Sequence, residues 1–336
     1  MIVDYDRHVA VNDYALILEH MSFSWRKHFE RDEFVGSVRD AAAHIRMTDR
    51  FGDDVLEGSA PAPGISLSLA VPHQGLTING WADQVAAKAF IEAMNAHSQQ
   101  VWADGLARRA AILVTPHDPM WSAQAIREHA GVPQFAAVAL PLSTVLMGSD
   151  QFDPIYDAAV ETDLPLVVHF SGVEGHYLGA PPLSGGVHRT AYARAALMPQ
   201  LAESHIASLC FGGALAKYPS LRVLFSGFGF AWLPSLAWRL DREWRTFRHD
   251  VPWVRKPPSE YMFDQVWLSS WPVREVSAEW EALFAGNRLQ TRIVYGSHDP
   301  FDADTVADIR SVLGPAADGV LGCEALLPAV TAGTVA

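Results

Sequence analysis

The chain has only two cysteines in 336 residues. Cys210 and Cys323 lie in apolar surroundings with no CxxC or other metal spacing, which excludes a disulfide framework and a thiolate metal site and leaves two core thiols. Positive charge is scarce as well: 25 Lys and Arg face 38 Asp and Glu, a net charge of −13. Nucleic-acid affinity comes from clustered Lys and Arg, so a phosphate-backbone binder is excluded. No run of like charge is long enough to act as an interaction tail. No apolar stretch of about 18 residues offers a membrane span, and no basic segment leading into an apolar one opens the chain as a secretory signal would. A soluble, cytoplasmic protein without nucleic-acid or membrane partners is expected. The glycine-rich and nucleophile motifs are missing too: there is no GxGxxG after the first strand, no GxxxxGK[ST] and no GxSxG. Gly227-Phe228-Gly229 is an incomplete pattern placed late in the chain.

What is present is apolar. Hydrophobic residues make up 49% of the chain and charged ones 19%, with a mean hydropathy of +0.07, which is ample for a large core and excludes whole-chain disorder. The length suits two average domains or one large α/β barrel. Buried parallel strands read as short, continuous apolar runs, and eight such runs occur in order: Met1–Tyr5, Gly64–Ala70, Ala110–Val114, Phe135–Leu140, Pro165–His169, Leu221–Phe225, Gln265–Ser269 and Thr291–Tyr295. Helix-like stretches separate most of them. Trp81–Leu106 is Ala-rich, Asp153–Asp163 opens with an Asp-Pro start signal, and Leu233–His249 carries Leu, Trp and Arg at amphipathic spacing. Eight strands alternating with helices predict a (β/α)₈ TIM-type barrel, one domain over residues 1–336. Long βα loops follow the first strand (Arg7–Pro63) and the fifth (Phe170–Gln200), on the face where barrel chemistry sits.

The chain has 14 histidines, and strand ends sort them. The first strand runs into Asp4-Tyr5-Asp6-Arg7-His8, where alternation would aim Asp4, Asp6 and His8 at the lumen. Carboxylates crowded beside a histidine in an apolar cylinder are costly without a compensating cation or donor. The fifth strand ends in His169, and the eighth is followed by Ser297-His298-Asp299-Pro300. These three ends can bring Asp6, His8, His169 and either His298 or Asp299 together, a mixed nitrogen and oxygen set suited to catalytic Zn²⁺ or Mn²⁺. His117 and Asp118 in VTPHDP, and His73 in VPHQG, are also explained by Pro-bounded turns. His176 and His188 in the long fifth loop are candidates for substrate contact. The remaining seven (His20, His28, His44, His97, His129, His205 and His249) read as helix-surface residues. Trp271, after the seventh strand in SSWP, is the tryptophan expected at the pocket.

Three stretches carry a family pattern: DPIYDAAVETDLPLVVHFSG, ALAKYPSLRVLFSGFGFAWLPSLAWRLDREW and VPWVRKPPSEYM. Through them, over nearly its whole length, the sequence resembles the amidohydrolase superfamily. The similarity is to the amidohydrolase-related group that includes aminocarboxymuconate-semialdehyde decarboxylase and related aromatic acid decarboxylases. The resemblance implies a metal-dependent (β/α)₈ enzyme, often dimeric, that hydrolyses or decarboxylates small organic substrates. It implies metal ligands from an acidic-x-His or His-x-His pair on the first strand, matched by Asp6 and His8, from a histidine ending the fifth, matched by His169, and from an aspartate after the eighth. Three positions depart. Ser226-Gly227 stands where the family has a histidine or glutamate, His298 takes the aspartate's place, and Val11 stands where a related group has glutamate.

The expectation is a homodimeric hydrolase or non-oxidative decarboxylase acting on a small, aromatic or carboxylated substrate. One divalent metal, Zn²⁺ or Mn²⁺, is held by Asp6, His8, His169 and His298. His298 and His169 take part in catalysis, Asp299 moves the proton, and His117, His176 and Trp271 contact substrate. The alternative is a repurposed, metal-free barrel, either a cyclase- or isomerase-type enzyme or a non-catalytic binding subunit, in which the same residues form a polar network.

Overall fold

The computed structural model describes residues 1–11, 15–30, 61–81, 83–171, 190–273, 280–284, 288–300 and 303–327. Eight strands occur within them: β1 (Val3–Val9), β2 (Leu67–Pro72), β3 (Arg108–Leu113), β4 (Phe135–Pro141), β5 (Leu166–His169), β6 (Val223–Ser226), β7 (Val266–Ser269) and β8 (Ile293–Val294). All neighbours pair in parallel, in the order β1 to β8. The barrel is closed by three backbone bonds between β1 and the segment that follows β8: Tyr5 N–H to Tyr295 O (2.9 Å), His298 N–H to Asp6 O (2.8 Å) and His8 N–H to Asp299 O (2.8 Å). With helices between the strands, this is the expected (β/α)₈ barrel, and each strand coincides with one of the eight apolar runs. Strands β2 and β4 to β8 are buried at every position, which is why their sequences show no polar alternation.

The helices start where side-chain chemistry allows. Asp83 accepts from the Val85 and Ala86 amides to open Gln84–His97, and Asp118 accepts from Trp121 N–H to open Pro119–His129. Thr305 and Asp308 form a reciprocal capping box at Val306–Leu313. The helix expected over Trp81–Leu106 ends early: Gln84–His97 passes into a π turn over Ser98–Trp102, and Leu106 is exposed.

Two histidines assigned to helix surfaces are core residues. His97 is 3% and His205 1% exposed, because the helix faces that carry them pack inward. Burial pushes His205 down to about 4. Above its unfolded value near 6.5 the residue is neutral in both states. Between about 6.5 and 4 the unfolded chain binds a proton that the folded one rejects, so stability falls with falling pH, by about 3 kcal/mol once complete. His205→Leu is expected to flatten this acid limb. Urea unfolding at pH 7 and pH 4.5 measures it, and an equal acid loss in both proteins would refute it.

Candidate active site

The C-terminal ends of β1, β5 and β8 converge on four side chains. One ligand atom each from Asp6, His8, His169 and His298 lies within 4.8 Å of all the others, and all four residues are buried. His8 Nε2 is 2.9 Å from His298 Nδ1. Asp6 Oδ1 is 3.4 Å from His8 Nε2 and 3.7 Å from His169 Nε2, and its Oδ2 is 3.4 Å from His298 Nδ1. A tetrahedral ion with ligands at about 2.0–2.1 Å holds them roughly 3.3–3.4 Å apart, and the Asp6 contacts at 3.4–3.7 Å come near that spacing.

The donor chemistry fits as well. Both Asp6 carboxylate oxygens are buried without a hydrogen-bond partner of good geometry, an arrangement that calls for a compensating cation. His169 Nδ1 lies 2.7 Å from the Phe170 carbonyl. A carbonyl only accepts, so Nδ1 carries the proton and Nε2 turns its lone pair inward, the tautomer a ligand needs. Burial, together with the charges of His298, His169 and His73, holds His8 well below its ordinary value. Burial alone would raise Asp6, but contact with His298 and the charges of His169 and His298 outweigh it and keep the carboxyl below the usual carboxylate value. The site is thus an anionic carboxylate among imidazoles. These four residues could hold one divalent ion.

Local backbone explains which side chains arrive. Asp4 does not join Asp6 and His8, although alternation would place it there. The register of β1 against β2 shifts between Asp4 and Arg7, and Asp4 instead accepts from Ser297 N–H (2.9 Å), Ser297 Oγ–H (2.6 Å) and Asp6 N–H (3.1 Å). Burial raises its pKa to about 6 despite these bonds. After β8, His298 adopts a left-handed backbone, φ 58°, and enters the cluster. Asp299 does not: its carboxylate lies 3.4 Å from Arg7 Nε with its side chain 38% exposed. It lines a separate cavity of about 820 Å³ with Asp4, Arg7 and Arg310, and no cluster residue lines that cavity.

Trp271 packs its ring on His298, with centroids 3.7 Å apart and planes 22° apart. His117 lines a cavity of about 290 Å³ at the ends of β3 and β4, together with Met120, Ser143 and Gln151. His176 lies outside the described residues. Three contributors were not among the site residues expected from sequence. The His73 ring meets His8 edge-on at 5.2 Å, Phe170 lies 4.2 Å from the His169 ring, and the fully buried Ser226 helps to lower Asp6. His73 follows β2 as His169 ends β5, and that strand-end position is the signal that could have raised it above a turn residue.

Comparison with known proteins agrees with this architecture. The structure is similar to 5-carboxyvanillate decarboxylase from Novosphingobium aromaticivorans in complex with manganese and a nitrobenzoic acid, with a TM-score of 0.65 and 18% identity over 96% of this chain and 93% of that one. It is also similar to 5-carboxyvanillate decarboxylase from Sphingomonas paucimobilis (TM-score 0.62, 15% identity, 99% and 98% covered). A third is 2,6-dihydroxybenzoate decarboxylase from Rhizobium (TM-score 0.57, 14% identity, 98% and 97% covered). No curated protein matches the sequence. The sequence model of the amidohydrolase family matches residues 15–307, and with that span the chain belongs to the amidohydrolase family of enzymes.

Proposed function

We propose that this enzyme is a metal-dependent, non-oxidative decarboxylase of small aromatic carboxylic acids. The observation that carries the reading is the buried Asp6 carboxylate, its oxygens without good hydrogen-bond partners, amid three histidine nitrogens at ligand spacing. A divalent ion bound there would supply Lewis acidity toward substrate oxygens. Three imidazoles and one carboxylate suit Zn²⁺ better than Mn²⁺, which favours oxygen-rich sites.

The chain's own residues supply the rest. Phe170 and His73 wall the cluster with flat rings, a surface suited to an aromatic substrate. Ser226-Gly227 at the end of β6 offers no acid for a leaving group, which favours loss of CO₂, with a proton taking its place on carbon, over hydrolysis. Asp299 serves the barrel closure in this reading: its carbonyl accepts from His8 and its N–H donates to Ser297 Oγ. Substrate contact by His117, His176 and Trp271 belongs to the same proposal, as does a cytoplasmic homodimer. The solved structures named above support the substrate class, since those proteins are decarboxylases of hydroxylated benzoates by name.

Untagged protein is expected to hold about one divalent ion per chain by elemental analysis and to release CO₂ from a panel of hydroxybenzoates. Chelation should abolish that activity, and Zn²⁺ should restore it better than Mn²⁺. The 2.9 Å His8–His298 contact would also serve a metal-free polar network, so full activity in a metal-free protein would overturn the reading.

A further inference from the structure

We infer that Trp271 is a positioning residue for His298, clamping the imidazole so that Nδ1 points at the metal position; this rests on the metal-site reading above. The geometry is direct. Trp271 and His298 are nearly parallel at 3.7 Å between centroids. The His298 ring also runs parallel to His169, 4° between planes at 5.8 Å, and His8 meets it edge-on at 4.5 Å. His298 is thus surrounded by rings, with Trp271 the one in direct stacking contact, and only 6% exposed, and Trp271 spends one face on His298 instead of offering it to substrate.

The need for a clamp follows from the backbone. His298 has φ 58°, a left-handed conformation that residues with a β-carbon rarely adopt. Its main chain is tied at the amide, which donates to Asp6 O. That bond leaves the side-chain torsions free, and an imidazole presents a single lone pair that must be aimed within roughly 10–20° to coordinate. A flat partner in van der Waals contact removes this rotation. Trp271 can do so because its own segment is anchored: Ser270 N–H donates to Val294 O (2.8 Å), Gly229 N–H donates to Trp271 O (3.2 Å) and Val273 N–H donates to Asp304 Oδ2 (2.6 Å). The backbone that carries the indole is thus tied to the segment after β6, to β8 and to the segment before helix Val306–Leu313 at once.

The test compares Trp271→Phe, which keeps a flat ring, with Trp271→Leu and Trp271→Met, which keep apolar bulk without one. Zn²⁺ affinity is read by competition with a chromophoric chelator, and ligand geometry by the visible spectrum of the Co²⁺-loaded protein, with the thermal midpoint of the metal-free variants as a fold control. Expected are near-native affinity and spectrum for Trp271→Phe. A 10- to 100-fold weaker affinity, the range for losing a group that orients a ligand, and a changed spectrum are expected for whichever non-planar variant folds. Native affinity and spectrum in a folded Leu or Met variant overturn the inference, and a rise in KM alone would return Trp271 to substrate binding. If the wild-type chain binds neither ion, the metal reading itself has failed, an outcome the wild-type control separates from failure of the clamp.

Discussion

Asp6→Asn is expected to remove the metal-dependent part of this protein's stability and nearly all of its turnover. The substitution changes almost no volume, so packing at the base of the site is preserved while the one anionic ligand is lost. A ligand that binds only the folded state stabilises it by about 4 kcal/mol at a thousandfold excess over Kd. Wild type should therefore unfold at a clearly higher temperature with Zn²⁺ than with chelator, and Asp6→Asn at the same temperature in both. Turnover should fall by about 10³-fold, the equivalent of about 4 kcal/mol of lost charge stabilisation. Scanning calorimetry with and without metal, run beside a CO₂-release assay, measures both. A variant that keeps its metal-induced shift would show that Asp6 is not a ligand and that its buried carboxylate serves the barrel alone.

Gly227→Ala should damage both fold and site, through two separate terms. Gly227 has φ +87°, and a Cβ there would lie 2.6 Å from Phe170 Cε1 and 3.0 Å from His169 Nε2. Left-handed backbone costs a non-glycine residue about 1–2 kcal/mol, and overpacking adds typically 1–3 kcal/mol. A loss of about 3 kcal/mol is expected by urea denaturation of metal-free protein. The methyl group also presses on the nitrogen through which His169 would coordinate, so metal affinity should drop along with stability. Full stability and native metal affinity in Gly227→Ala would mean that β6 and β5 can separate at their ends without consequence. The contact also explains the small residue here: His169 and Phe170 occupy the space a side chain after β6 would need.

Much of the fold was legible because buried parallel strands are written in short, continuous apolar runs, and all eight runs overlap strands. β1 was read short, as Met1–Tyr5, because Asp6, Arg7 and His8 are polar; the strand continues because Arg7, His8 and Val9 pair with Ala70, Val71 and Pro72 of β2. The metal candidates were legible for a related reason, since polar residues at the ends of apolar strands have few explanations besides a site. Two readings did not survive. Alternation put Asp4 in the lumen, whereas a register shift turns it to Ser297. Polar character put His97 and His205 on helix surfaces, whereas both are buried, because one histidine in an Ala- or Leu-rich helix does not reveal which face packs inward.

The sequence by itself determined the barrel, its eight strands, and the three strand ends from which Asp6, His8, His169 and one residue of His298-Asp299 could meet. These are local properties, set by apolar runs and by which polar residue follows each. Tertiary structure alone decided which of His298 and Asp299 joins the cluster, and that the Trp271 ring stacks on His298. His8 and His298 are 290 positions apart in the chain, and their contact exists only because β1 and β8 close the sheet. The same closure bonds engage His298 through its amide and Asp299 through its carbonyl. The left-handed backbone of His298 (φ 58°) breaks strand alternation in this segment, and the His298 ring turns into the cluster while the Asp299 carboxylate turns out toward Arg7.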